Sequence, residues 1–287
     1  MNEPAPPPGF SRWPAPAKIN LFLHIVGRRA DGYHELQTCF QFLNHCDDID
    51  IRVRSDGVIQ RLQGMDIPPE SDLVVRAARL LQAAAHVSAG ADIAVHKRIP
   101  AGAGLGGGSS DAATVLVALN ALWRAGLSNE ALQKLGLGLG ADVPVFVAGH
   151  AAWAEGVGER LTFLRGAELP KERIYLIIKP NCSVSTAEVF QAPELTRNSQ
   201  PITIRGFLDE GGRNDCTLTV RGRFPAVGRA LDWLSTFGEA RLTGTGACIF
   251  LGLDTIGAAE RILRNIPPDL SGFIARGLNE SPLRGKF

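Results

Sequence analysis

The sequence predicts an α+β protein of two domains, and three observations carry that prediction. Alternating apolar residues open the chain as hairpin-like strands. A run of glycines near residue 100 leads straight into an apolar helix. Beyond residue 160 strands and helices follow in the order β-α-β-β-α-β. A chain of 287 residues exceeds one ordinary domain, and the change of character sets the expected domains at 1–160 and 161–287.

Residues 1 to about 14 are rich in proline and read as a poorly ordered arm. Lys18 to Val26 alternates, with Ile19, Leu21, Leu23 and Ile25 on one side and Lys18, Asn20, Phe22 and His24 on the other. A Gly- and Arg-containing turn separates it from a second extended run through Phe42, and Ile49, Ile51 and Val53 alternate again. Ser71 or Asp72 is placed to cap a helix through about Ala85, because Val74, Ala77, Ala78 and Leu81 recur at helical spacing. A strand follows at Asp92 to Lys97, then a helix from Ser110 to about Trp123, and Ser128 caps another. The second half reads as strand 174–179, helix 225–236, strands 240–243 and 247–251, helix 256–265 and strand 272–277. That order is the split arrangement of ferredoxin-like domains.

Composition narrows the function. Thirty basic against 29 acidic residues leave a formal charge of +1, so no bulk charge attracts nucleic acid and any phosphate site must be built locally. No stretch approaches the roughly 20 apolar residues that span a bilayer, and no membrane partner is expected. Five scattered cysteines without a C-x-x-C argue against disulfides and a structural zinc site. The expected compartment is the cytoplasm. Nothing in the chain specifies an oligomeric state.

The most informative segment is Pro100, Ala101, Gly102, Ala103, Gly104, Leu105, Gly106, Gly107, Gly108, Ser109, Ser110, followed by Asp-Ala-Ala. Glycines let the backbone approach a ligand closely, and a helix start offers free N–H groups and the positive end of a dipole. The segment therefore reads as a phosphate cradle. Gly102, Gly104 and Gly107 satisfy G-x-G-x-x-G, which leaves a NAD-dependent oxidoreductase open as a rival. A dinucleotide fold, however, places that motif in its first βαβ unit. No Walker lysine follows, and the H-R-D and D-F-G of protein kinases are absent.

The pattern P-x-x-x-G-L-G-G-G-S-S-D-A-A resembles the phosphate loop of the GHMP kinases. Pro16-Ala17-Lys18-Ile19-Asn20-Leu21 is similar to the first motif of that family, and Leu242-Thr-Gly-Thr-Gly-Ala247 to the third. The resemblance spans about residues 14 to 284 and implies the family's fold: an N-terminal S5-like domain and a C-terminal ferredoxin-like domain. It also implies ATP as phosphoryl donor, with Mg2+. Gly27-Arg-Arg-Ala-Asp-Gly-Tyr-His-Glu-Leu-Gln-Thr38 and Leu139-Gly-Ala-Asp-Val-Pro-Val-Phe146 resemble a branch whose alcohol substrate carries a cytidine diphosphate group. A GHMP kinase for another small alcohol, such as mevalonate or homoserine, is the alternative, as is a relative that binds nucleotide without catalysis.

The resemblance assigns roles by position. Asp142 is the catalytic carboxylate, which either accepts the alcohol's proton or orients the hydroxyl. On sequence alone it also suits a turn or cap. Lys18 is its cationic partner, and Asn20, on the same side of the strand, faces substrate. Tyr33, His34 and Phe190 are the base contacts, two aromatics for the faces and an imidazole for the edge. Ser110 is a candidate beside magnesium, but no metal-ligating set is read from the chain.

Overall fold

The computed structural model describes residues 5–63 and 68–286; residues 1–4 of the expected arm lie outside them. The arm ends earlier than expected. Strand β1 (Ser11–Arg28) already pairs at Ser11 with Ile51 of the antiparallel β2 (His34–Arg54), and Trp13 is buried. Pro14 and Pro16 are tolerated because β1 ladders with β2 alone among the described strands, so their missing N–H groups break no second ladder.

β2 also corrects the expectation of separate strands. The polar residues Cys46 to Asp48 interrupt the apolar alternation but stay paired with Pro16 to Pro14. The alternation in β1 does not divide core from solvent. Register shifts, one of them between Asn20 and Leu23, turn its side chains into different cores. Leu23 and Ile25 join one cluster, while Ile19, Leu21 and Phe22 join another.

A short strand β3 (Ile59–Gln63) that the sequence pattern did not announce runs parallel to β4 (Gly90–His96). Between them α1 (Leu73–Ala84) starts at Asp72, whose side chain accepts from Val74 N–H. Helix α2 (Gly107–Leu122) is apolar all round and buried along most of its length, as a helix of that pattern must be. Ser128 caps α3 (Asn129–Leu137), and the short α4 (Val143–Ala148) follows. Helices α1, α2 and α4 pack on β2 and β4 through Leu81, Val115, Leu116, Phe146, Phe42 and Ile51. The antiparallel hairpin β5 (Ala152–Gly156) and β6 (Arg160–Phe163) attaches to β2.

The remaining elements are β7 (Ile174–Pro180), α5 (Thr186–Gln191), α6 (Ile204–Glu210), α7 (Thr217–Arg223), α8 (Pro225–Ser235), β8 (Ala240–Leu242), β9 (Ile249–Leu253), α9 (Ile256–Leu263) and β10 (Leu270–Leu278). The strands line up antiparallel in the order β10-β7-β9-β8. That is the arrangement expected of a split β-α-β pair, with α8 and α9 as its two helices. The three short helices α5, α6 and α7 are additions that six- or seven-residue periodicity could not reveal. β10 also pairs with β2 through Gly277–Leu43 and Leu278–Phe42, so one sheet runs through the molecule.

Candidate active site

Lys18 and Asn20 come two residues apart from the middle of β1, and both are 3% exposed. A buried ammonium has to be partnered. Lys18 Nζ donates to Asn20 Oδ1 at 2.6 Å, lies 3.3 Å from Asp142 Oδ2, and sits 5.2 Å from the centre of the Phe40 ring. The Asn20 amide is itself fixed: Nδ2 donates to Thr38 Oγ1 at 2.9 Å, and the Thr38 hydroxyl donates to the Phe22 carbonyl at 2.5 Å.

Asp142 occupies the capping position of α4, yet its side chain makes no capping bond. Pro144 in the first turn leaves one N–H fewer to cap. The carboxylate instead turns to Lys18 and keeps about a third of its surface open. Lysine, amide and carboxylate, 124 positions apart at the extremes by numbering, thus form one polar group on a common cleft.

The glycine loop lies across that cleft. Gly102, Gly104 and Gly106 all take positive φ (60°, 73° and 73°), a region that costs other L-residues strain. Space is short as well. A Cβ on Gly104 would stand 2.2 Å from the Thr243 carbonyl oxygen, and one on Gly106 would stand 2.8 Å from Phe146 Cζ and 3.1 Å from Lys18 Cε. The loop is tied down from both halves of the chain. Lys18 N–H donates to Leu105 O (3.0 Å), Ala247 N–H to Gly102 O (3.3 Å) and Cys248 N–H to Ala103 O (3.1 Å). Thr243 Oγ1 accepts from Asn20 N–H (3.0 Å) and donates to Gly104 O (3.1 Å). The third glycine motif therefore folds back against the loop, and its α2 end presents the unpaired first-turn N–H groups of Gly107, Gly108 and Ser109.

The cleft encloses about 610 Å³ and is lined by Lys18, Asn20, Asp142 and most of Pro100 to Ser109, a size that suits a small-molecule site. Leu105 and Ser110 stand behind it. Leu105 is 1% exposed and packs with Ile19 and Ile99 in a core cluster, anchoring the loop by about 2 kcal/mol of burial. Ser110 is fully buried, its Oγ without a protein partner.

Several lining residues were given no role by the sequence. Lys97, at the end of β4, bridges Asp47 and Asp111, with Asp111 Oδ2 at 2.7 Å. Burial pushes the Asp111 carboxyl up to about 7 against the pull of the Lys97 ammonium, and its Oδ1 has no partner. Thr38 and the Thr186–Thr245 hydroxyl pair (2.9 Å) are further additions. Asp111, Thr38 and Thr245 lie inside the recognised motifs without a role read for them, and only their place beside those motifs could have pointed to Lys97 and Thr186.

Phe190, half-buried on α5, lines the far end of the cleft. His34 stacks on it, ring centres 5.0 Å apart and planes at 26°. His34 does not itself line the cleft, and neither does Tyr33, which is 65% exposed. The structure thus joins His34 to Phe190 and leaves Tyr33 on the surface beside them. His34 Nε2 receives the Arg197 Nε–H at 3.0 Å, a contact that no motif announced. Burial, with the charges of Arg197 and Arg28, holds the His34 ring below its ordinary pKa.

What surrounds the loop is not a dinucleotide-binding unit, since β4 leads into it and pairs antiparallel with β2. Residues 72–150 match the family described as GHMP kinases N terminal domain. Over 275 residues the chain is 56% identical to the 4-diphosphocytidyl-2-C-methyl-D-erythritol kinase of Halorhodospira halophila, covering 96% of this chain and 95% of that protein. The enzyme of the same name from Pseudomonas fluorescens is 52% identical over 275 residues, covering 96% of each. The crystal structure of a 4-(cytidine 5'-diphospho)-2C-methyl-D-erythritol kinase superposes with a TM-score of 0.81 at 33% identity, over 93% of this chain and 99% of that one. A mevalonate kinase structure superposes at 0.70 with 18% identity over 94% of this chain and 100% of that one, a likeness of fold alone.

Proposed function

The chain belongs to the 4-diphosphocytidyl-2-C-methyl-D-erythritol kinases, a branch of the GHMP kinases, and we propose that its Lys18–Asp142 pair directs the γ-phosphoryl group of ATP onto the 2-hydroxyl of that cytidyl alcohol. The reaction belongs to the non-mevalonate route to isoprenoid precursors. The observation that carries the residue assignment is Asp142 Oδ2 at 3.3 Å from Lys18 Nζ, on the cleft that the glycine loop closes.

Phosphoryl transfer asks a protein chiefly for alignment and charge. The first-turn N–H groups of α2 hold the phosphates, and the tight fit at Gly104 and Gly106 keeps their backbone in place. Asp142, with no helix bond to satisfy, accepts a hydrogen bond from the alcohol and takes its proton as the new bond forms. Lys18, held by Asn20, pairs with that carboxylate and lies beside the accepting oxygen. At the far end Phe190 offers a flat face to a cytosine ring, while His34, stacked on Phe190, and the exposed Tyr33 stand just outside the cleft and complete the base site.

Magnesium bound with ATP would need only one or two oxygens from the protein. Asp111 suits that task. Its unpartnered Oδ1 belongs to a carboxyl that burial disfavours as an anion and that a divalent cation would stabilise, and the residue lines the cleft. Ser110 Oγ, one position earlier in the chain and also buried without a partner, would be the second candidate oxygen. When bound, the metal neutralises charge on the triphosphate.

All five cysteines are free, which suits a reducing compartment, the cytoplasm. No described helix is long and apolar enough to cross a membrane. We place the domain boundary near residue 160, between the β5–β6 hairpin and the strands of the ferredoxin-like sheet. A coupled ADP-release assay with the cytidyl alcohol, mevalonate and homoserine in parallel tests the assignment. Turnover of the cytidyl substrate alone is expected; turnover of mevalonate or homoserine alone would overturn it.

A further inference from the structure

Arg197 lies in the loop after α5, and its guanidinium is fully engaged. Nη1 donates to the carbonyls of Pro193 (3.4 Å) and Leu195 (3.0 Å), and Nη2 to those of Phe190 (3.0 Å) and Ala192 (2.6 Å). The fifth donor, Nε–H, points at His34 Nε2 from 3.0 Å. A guanidinium keeps all five protons in a protein, and here four of them are held by carbonyls, so the fifth cannot turn away. His34 Nε2 must answer with its lone pair, which puts the ring's single proton on Nδ1. Burial and the nearby arginine charges keep the ring neutral. Nδ1 has no hydrogen bond among the described residues and is not sealed from solvent. The same arginine grips the carbonyl of Phe190, whose ring stacks on the imidazole. One side chain therefore sets both the position and the tautomer of the imidazole stacked on Phe190, just outside the cleft.

We propose that Arg197 makes this site select cytosine over uracil, by fixing His34 as an Nδ1–H donor aimed at ring nitrogen N3. The proposal deepens the reading of Tyr33, His34 and Phe190 as the base site and rests on it. N3 of cytosine is an acceptor, whereas N3 of uracil carries a proton. A fixed donor pairs with the first and confronts a second donor in the other, leaving two N–H groups without acceptors. A histidine free to exchange tautomers would accommodate both bases. Arg197 is thus a positioning residue: it acts through His34.

Two measurements test this on the full chain. In 15N-histidine-labelled wild-type protein without ligand, His34 should show a protonated Nδ1 and an unprotonated Nε2 from pH 7 to 8.5, its signals identified by their loss in His34→Asn. A protonated Nε2 overturns the proposal. Calorimetric titration with CMP and UMP should give a CMP preference of at least about 30-fold in the wild type. Arg197→Met should bring that ratio below about threefold while leaving ATP affinity within about twofold. Arg197→Leu, which likewise leaves no N–H to donate to His34, should relax the ratio to the same extent and serves if the methionine variant does not fold. A wild type that binds both nucleotides alike, or an unchanged ratio in either folded variant, overturns the idea. Failure to phosphorylate the cytidyl alcohol would instead strike the kinase assignment, and the tautomer would still be read.

Discussion

Asp142 stands at the start of α4 where a capping residue belongs, and its carboxylate is spent on Lys18 rather than on the helix. Asp142→Asn should therefore lower kcat by about 10²-fold or more, because the amide accepts no proton. The helix loses no capping bond, but the buried Lys18 loses its counter-charge, so the melting temperature should fall by several degrees. Steady-state kinetics and thermal unfolding separate the two; an unchanged kcat would remove Asp142 as the base. Gly106 makes a different kind of prediction. Its φ of 73° and the contacts a Cβ would meet, Phe146 Cζ at 2.8 Å and Lys18 Cε at 3.1 Å, leave no room for a methyl group. Gly106→Ala should cost about 1–2 kcal/mol from the backbone alone. By displacing the loop and Lys18 it should weaken ATP binding at least about tenfold; ATP titration retaining wild-type affinity would show that the loop yields.

At the scale of elements, the β1–β2 ladder carries the site, and one ion pair pins its outer end. Asp50 of β2 is fully buried; Arg12 of β1 donates Nε–H to Oδ1 and Nη2–H to Oδ2, both at 2.7 Å, and His96 Nε2 lies 3.0 Å away. The Arg12 hydrogen bonds hold the Asp50 carboxyl below its ordinary range against the cost of burial. The folded state therefore binds this proton less readily than the unfolded chain. The pair's stabilisation is complete above about pH 4 and is lost as pH falls through the depressed folded value. Arg12→Met should remove about 3 kcal/mol at pH 7. It should also move the midpoint of acid unfolding to higher pH, measured by circular dichroism between pH 2 and 6. An unchanged acid midpoint would show that Arg12 does not hold that carboxylate. The same strands show why the arm was misjudged. Four prolines before residue 9 suggested disorder through residue 14, but Trp13 finds a core and Ser11 a partner.

Across the whole molecule, the two halves of the chain meet at the glycine loop. Thr243, just after β8, joins Asn20 of β1 to Gly104 of the loop through a single hydroxyl. Thr243→Val leaves a buried N–H and a carbonyl oxygen without that partner, which costs about 1–3 kcal/mol. The resulting drift of the loop should lower kcat/KM for ATP roughly tenfold; unaltered kinetics would mean the loop is held without it. The parts of the fold that rest on near-neighbour patterns were legible from the residues. The helix caps at Asp72 and Ser128, the helix after the glycines, and the β-α-β-β-α-β order all arise from side chains within a few positions of one another. The glycine loop pointed to phosphate because such a site favours glycines and a helix start in immediate succession, whereas Lys18, Asp142 and Gly244 were singled out only by the family resemblance. Only tertiary structure decided that Lys18 and Asp142 touch, that Lys97 and Asp111 sit beneath the loop, and that Arg197 reaches His34 across 163 positions. Such contacts follow from how strands register and sheets join, and a hydrogen bond between distant residues leaves no periodicity in either local sequence.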